Sequence, residues 1–157
     1  MKFNILETGA FQSALVEFDH GEEFFSEAGA MVRASGNVDV DVSTRSRGKS
    51  GIMGGIKRLF SGKGAFFIEA SGSGEIFFGA YGAVVEKELD GELIVDNGHV
   101  LAWENTLDWS LKGAGGLKST LFSGEGLVMR FSGRGRIWLQ TRHLAGTAGW
   151  ITPFLRA

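Results

Sequence analysis

A near repetition within the sequence constrains this 157-residue chain more than any other feature. The stretch from Gly55 to Gly64 returns from Gly116 to Gly126 with one residue inserted, and each copy precedes an apolar run and a Gly-x-Gly element. Segments before each copy also align, 29–32 with 98–101 and 38–42 with 107–111. The pattern predicts two copies of one β-rich unit of roughly 60 to 70 residues.

The length fits one compact domain better than two independent folds, because 157 residues can bury one substantial core. We therefore expect a single domain over residues 1–157, with repeats at about 20–80 and 90–141 and a C-terminal tail at 142–157.

Glycines set between short apolar runs indicate a β structure. The chain holds 25 Gly, 13 Phe and one Pro. Strict alternation places Val38, Val40 and Val42 on one face of a predicted strand, and a second alternating strand begins at Leu107. We count about a dozen short strands, joined by tight turns that include 72–74 and 133–135, which predicts an antiparallel sandwich or barrel.

Residues 52–60 instead show helical spacing, and because Gly54 and Gly55 weaken a helix we expect a loop with one helical turn there.

Charge alternates along the chain in blocks although the net charge is only −2. Residues 1–42 carry −6, residues 43–68 carry +6, residues 69–125 carry −7 and the remainder carries +5. Because the blocks roughly follow the repeats, they predict association between unlike surfaces.

A basic, glycine-rich segment in the first repeat is the candidate binding or interface surface. It can contact phosphates, lie on an anionic membrane or dock on an acidic face of another subunit; the alternative is a solvated loop whose apolar residues cover the core. Its residues are Arg45, Arg47, Lys49, Ile52, Met53, Ile56, Lys57, Arg58, Leu59, Phe60 and Lys63.

Motifs for catalysis are weak. Cysteine is absent, which excludes disulfides and thiolate chemistry. Residues 47–50 resemble the end of a phosphate-binding loop, but Ser43 stands where that motif needs glycine. The histidines have no metal-ligand spacing, so we predict no catalytic residue, metal or cofactor. A ligand pocket near His99, Trp103 or Trp138 is a remaining option, although such aromatics are more typical of a core.

The N-terminus lacks the apolar stretch of a signal peptide, and no segment is long and apolar enough to span a bilayer. We therefore expect a cytoplasmic protein.

Several stretches together resemble the mitochondrial biogenesis family named for altered inheritance of mitochondria, whose bacterial and archaeal members are small and uncharacterised. They cover nearly the whole chain and lie at 27–32, 35–38, 54–58, 95–99, 116–119, 122–128 and 138–142. The resemblance implies tandem units similar to the trp RNA-binding attenuation protein fold, assembled into a trimer or other closed ring. It implies no catalytic residue, and RNA binding does not transfer through a likeness of fold alone. Longer members of the family look as though they carry three such units, whereas this chain has two, so the resemblance does not fix the number of subunits in the ring.

Together, the residues and the resemblance predict an all-β fold, an antiparallel β-sandwich similar to a double-stranded β-helix, made of two tandem repeats. The predicted function is that of a non-enzymatic homo-oligomeric scaffold or binding protein. The alternative is binding of nucleic acid, or peripheral contact with an anionic membrane, through the basic segment.

Overall fold

A computed structural model of the chain describes residues 1–7, 9–43, 67–113 and 127–155. The whole candidate segment 45–63, including its predicted helical turn, lies outside the described residues. Within them are nine strands, three short 3-10 turns and one α-helix. The strands are β1 Lys2–Glu7, β2 Gln12–Glu27, β3 Met31–Ala34, β4 Val38–Ser43, β5 Phe67–Gly79, β6 Val84–Asp96, β7 Val100–Glu104, β8 Asp108–Gly113 and β9 Leu127–Gln140; the helix is α1 Leu144–Ile151 and the turns are Ala28–Ala30, Asn97–His99 and Thr152–Phe154.

All strand pairs of the described residues are antiparallel and belong to one sheet. The main path runs β3-β5-β2-β7-β9-β6, while β1 pairs with β2, β4 with β5 and β8 with β9. The prediction of an all-β antiparallel fold is confirmed.

The order of elements from β2 to β5 matches the order from β6 to β9. In each set a long strand, a 3-10 turn and two short strands precede a second long strand that pairs with the first. The register also shifts at matching places, between Met31 and Arg33 where β3 pairs with β5, and between Val100 and Ala102 where β7 pairs with β9.

The Gly-x-Gly elements are not hairpin turns, so that prediction is wrong. Both lie inside long strands, 72–74 in β5 and 133–135 in β9. Because these elements continue strands and do not end them, the described residues form nine strands, several of them long, where about a dozen short ones were expected. The glycines are required by close packing: a Cβ on Gly72, whose φ is +109°, would lie 2.5 Å from the carbonyl oxygen of Asn37.

The core has two clusters, one centred on each set of strands. Neighbouring residues on shared strands point into different clusters, as Phe24 and Phe25 do on β2, and Ile137 and Trp138 on β9. Trp103 and Trp138 are fully buried, as expected of core aromatics.

The C-terminal tail contains the α-helix, which the sequence analysis missed. His143 caps its first turn by accepting a hydrogen bond at Nδ1 from the backbone N–H of Gly146, at 3.2 Å. Glycine and alanine make up half of this helix, so its sequence lacks the alternation of an apolar and a polar face that predicts a helix packed on a core.

Candidate interaction surface

Strand β6 lies at an edge of the sheet. It pairs with β9 along its whole length, from Val84 opposite Gln140 to Asp96 opposite Val128, and no other described strand pairs with it. The corresponding long strand of the first half, β2, has partners on both sides, because β1 and β7 cover the edge that β5 leaves free. Half of the backbone N–H and C=O groups of an edge strand point away from its neighbour, so β6 presents a surface to which further chain can bind.

Four exposed carboxylates form a row on β6. Glu86, Glu88, Asp90 and Glu92 occupy every second position and therefore lie on one face of the strand. Leu89, between them, is buried in the second core cluster, so the acid row faces away from that core. We call these four residues the acidic row.

Arginines of β9 lie along the inner side of the acidic row. Arg134 Nε is 4.0 Å from Asp90 Oδ2, and Arg130 Nη1 is 3.7 Å from Glu92 Oε2. Both pairs are solvent-exposed and contribute at most about 1 kcal/mol each. The two guanidinium groups lie on the side of the acidic row that faces β9. The open edge of β6 is therefore bordered by carboxylates.

A stronger ion pair fixes the middle of β9. Glu104 at the end of β7 accepts hydrogen bonds from Arg136 Nε and from the backbone N–H of Arg136, both at 2.8 Å, and its Oε1 lies 2.6 Å from Arg136 Nη2 in an ion pair. The Arg136 guanidinium lies over the Trp138 ring, 5.2 Å from its centroid. Trp138 Nε1 in turn donates to Glu86 Oε2 at 2.8 Å, which ties one end of the acidic row to the core.

The first half repeats this arrangement with the charges exchanged. Glu75 of β5 pairs with Arg33, whose guanidinium lies over Phe77, and the backbone N–H of Glu75 donates to Ser35 Oγ at 3.0 Å. Ser35 thus fills the backbone role that Glu104 has for Arg136. The two halves are therefore alike in architecture, with the acid and the arginine of the pair exchanged between the short and the long strand.

The structure brings together two histidines that the sequence separates. The rings of His99 and His143 meet edge to face with centroids 4.8 Å apart, and His99 Nδ1 lies 2.8 Å from the carbonyl oxygen of Gln140. No acidic residue completes a metal site with them, and in the described parts of the chain no three potential ligands come together. The pair therefore acts as a packing contact at the base of α1.

A carboxylate stands before each of the first two 3-10 turns. Asp96 Oδ1 accepts from the backbone N–H of Gly98 at 2.8 Å. Glu27 has the matching position in the first half, and burial raises the pKa of its carboxyl above the usual value, an effect that the amides of Gly29 and Ala30 partly offset. Glu27 therefore lowers stability when it is ionised.

A shallow cleft of about 720 Å³ beside β1 is also acidic. Its walls include Glu17, Asp19, Glu22 and Glu75. The Met1 ammonium group, which pairs with Glu22, lowers the pKa of that carboxyl. Glu17 lies near Lys2 and Glu75 pairs with Arg33, so three of the four carboxylates have a cation beside them.

The acidic row carries a signal that sequence analysis could have found, since its carboxylates alternate over seven residues. The acidic block was recognised, but the alternation and the open edge were not. None of the predicted site residues 45–63 can be placed relative to it, because they lie outside the described residues. The helix found in the described regions is too short to cross a membrane.

Comparison with known proteins identifies the class of this duplicated β protein. The family model for mitochondrial biogenesis AIM24 matches twice, at residues 3–69 and 56–142. The chain belongs to this family.

Two bacterial proteins resemble it over most of its length. An uncharacterised protein of Streptococcus pyogenes serotype M6 is 28% identical over 144 residues, which cover 90% of this chain and 55% of that protein. The chain thus spans about half the length of that curated relative. A second S. pyogenes protein, solved by X-ray crystallography, superposes with a TM-score of 0.56 at 21% identity, covering 98% of this chain and 99% of that one, and shows a shared fold.

Proposed function

We propose that the protein is a non-enzymatic scaffold or binding module that assembles from copies of itself, with the acidic row on β6 as one of the contacting surfaces. The observation that carries the proposal is the open edge of β6. The equivalent edge of β2 is covered by β1, so among the described residues the second half lacks a neighbour that the first half has.

Charge points to a second copy as the partner. The acidic row contributes four carboxylates, and the segment 43–68 has six cations and no acid. Within that segment Arg45, Arg47 and Lys49 occupy every second position, the same sequence spacing as the acidic row. Docking this cationic segment on β6 of the next copy would place carboxylates between two sets of cations, those of β9 and those of the partner.

Such a contact joins unlike surfaces and is head-to-tail. A head-to-tail contact closes into a ring when the rotation between subunits permits it. A trimer or another closed ring, and the likeness to the trp RNA-binding attenuation protein fold, are the finer parts of this proposal. The cytoplasm is the compartment we propose for it.

Charge reversal on the acidic row tests the contact. Glu88 and Asp90 are exposed, and Arg134, which lies 4.0 Å from Asp90, forms only a weak pair. We expect the variant Glu88→Lys with Asp90→Lys to fall to a smaller mass in light scattering while its circular dichroism is retained. Asp39→Lys with Asp41→Lys is the matched control, because these exposed acids also alternate on a strand and should leave the mass unchanged.

The reciprocal change examines the other side of the contact. Reversing Arg45 and Arg47 to Glu should also reduce the mass. Mixing that variant with the Lys variant of β6 should restore assembly, because the lysines on β6 of one variant then face the glutamates of the other. Lys57→Glu with Arg58→Glu tests the remainder of the segment in the same way. Unchanged masses in all of these variants would show that the charged surfaces do not dock.

Nucleic-acid binding is the second candidate, and the same six cations support it. It predicts RNA or DNA affinity that falls steeply with salt because counterions are released on binding. If the protein does not retard RNA or DNA in a gel-shift assay at low salt, nucleic-acid binding is excluded.

A further inference from the structure

The last described segment, 144–155, exposes large apolar side chains on all sides. Leu144, Trp150, Phe154 and Leu155 are 73%, 71%, 75% and 70% exposed, and Ile151 is 41% exposed. The Trp150 and Phe154 rings contact each other, with centroids 5.9 Å apart, instead of packing on the sheet. A helix that is apolar all round is normally surrounded by an apolar medium.

The hydroxyl side chains of the segment bond back to the helix backbone. Thr147 Oγ1 donates to the carbonyl oxygen of His143 at 3.4 Å, and Thr152 Oγ1 to that of Ala148 at 2.6 Å. Transfer out of water therefore leaves neither hydroxyl unpaired. The other side-chain donor of 144–155 is the indole N–H of Trp150, which can donate to water or headgroups when the ring lies at a membrane interface.

Charge and length distinguish the surroundings that fit. Residues 141–157 carry Arg142 and Arg156 and no acid, whereas residues 1–140 carry a net −4. An eight-residue helix is about 12 Å long, too short to span the roughly 30 Å hydrocarbon core. Apolar and aromatic residues bordered by arginines suit the boundary between acyl chains and anionic headgroups.

We propose that segment 144–155 inserts into the surface of an anionic lipid bilayer, with Trp150 and Phe154 at the acyl boundary and Arg142 against the headgroups. The acidic body is repelled by such a surface, so the protein docks with its C-terminal segment first. This surface differs from the acidic row, and binding to lipid does not depend on self-assembly.

Vesicle sedimentation of the whole chain tests the proposal. Vesicles of phosphatidylglycerol and phosphatidylcholine should bind the wild type, with a blue shift of Trp150 fluorescence, and phosphatidylcholine vesicles should bind it several-fold more weakly. Trp150→Ser with Phe154→Ser should lower the partition coefficient at least about tenfold, since each side chain loses its apolar contact with lipid. Val32→Ser with Val85→Ser is the control, because these exposed apolar residues lie on strands β3 and β6.

The outcomes separate lipid from protein partners. Absence of wild-type binding to either vesicle overturns the proposal, and so does a double variant that still sediments like the wild type. If the wild type does not bind vesicles and the double variant has a different assembly mass in light scattering, the segment is a contact between copies and the lipid proposal is wrong. Loss of vesicle binding with an unchanged mass supports it.

Discussion

The ion pair between Glu104 and Arg136 should contribute more to stability than the other ion pairs described above. The Arg136 and Glu104 side chains are only 31% and 18% exposed, and the carboxylate accepts two hydrogen bonds from that one residue besides the ion-pair contact with Nη2. Glu104→Gln keeps the shape and one acceptor but removes the charge that holds the guanidinium over Trp138. A charged hydrogen bond contributes about 1.5 to 3 kcal/mol, and breaking a buried pair costs about 3 to 5. With partial exposure we expect a loss of about 2 kcal/mol, or roughly 4 to 8 °C in Tm.

Urea unfolding followed by tryptophan fluorescence, at one fixed protomer concentration, measures this loss. Lys2→Gln is the control, because Lys2 and Glu17 lie 4.0 Å apart at the surface and should contribute under about 0.5 kcal/mol. Glu75→Gln should fall between the two, since the Arg33 and Glu75 side chains are 54% and 37% exposed. The loss for Glu104→Gln should persist at about 1 M salt, where surface pairs are screened. Equal effects of Glu104→Gln and Lys2→Gln would refute the argument.

Two further predictions concern backbone packing and a buried acid. Gly72→Ala should cost at least about 2 kcal/mol in urea unfolding, because the new Cβ meets the Asn37 carbonyl; Gly91→Ala, at φ +128° in open space, should cost only about 1, and equal costs would contradict the packing argument. Glu27 has a raised pKa in the folded state, so the wild type should lose stability relative to Glu27→Gln as pH rises from about 4 to 7. A difference in unfolding free energy that is constant with pH would show that burial of Glu27 has no such effect.

Local patterns in the sequence predicted the fold class and left the strand lengths open. Alternation at Val38, Val40 and Val42 identified β4, and short apolar runs identified parts of β5, β6 and β9. The strands were divided too finely because glycine is frequent in turns. Gly72 is instead glycine because the Asn37 carbonyl lies against it, and Gly133 because its φ is +116°. Such a contact joins residues far apart in sequence, so no local pattern reveals it.

The candidate surfaces were less accessible to prediction for a similar reason. Block charges indicated docking, but the open edge of β6 depends on which strands pair, and pairing is decided by the whole sheet. The C-terminal helix is rich in glycine and alanine and has no polar face, so it lacks the periodicity by which helices are predicted. His143 caps it from a position that only the structure brings beside His99.

The mass of the protein in solution tests the central claim of self-assembly most directly. Multi-angle light scattering of the wild type should give an integral multiple of the 16.9 kDa chain, and Glu88→Lys with Asp90→Lys should give a smaller multiple or the chain itself. A wild type that measures 16.9 kDa at all concentrations, or a variant with the same multiple as the wild type, would contradict assembly through the acidic row of β6.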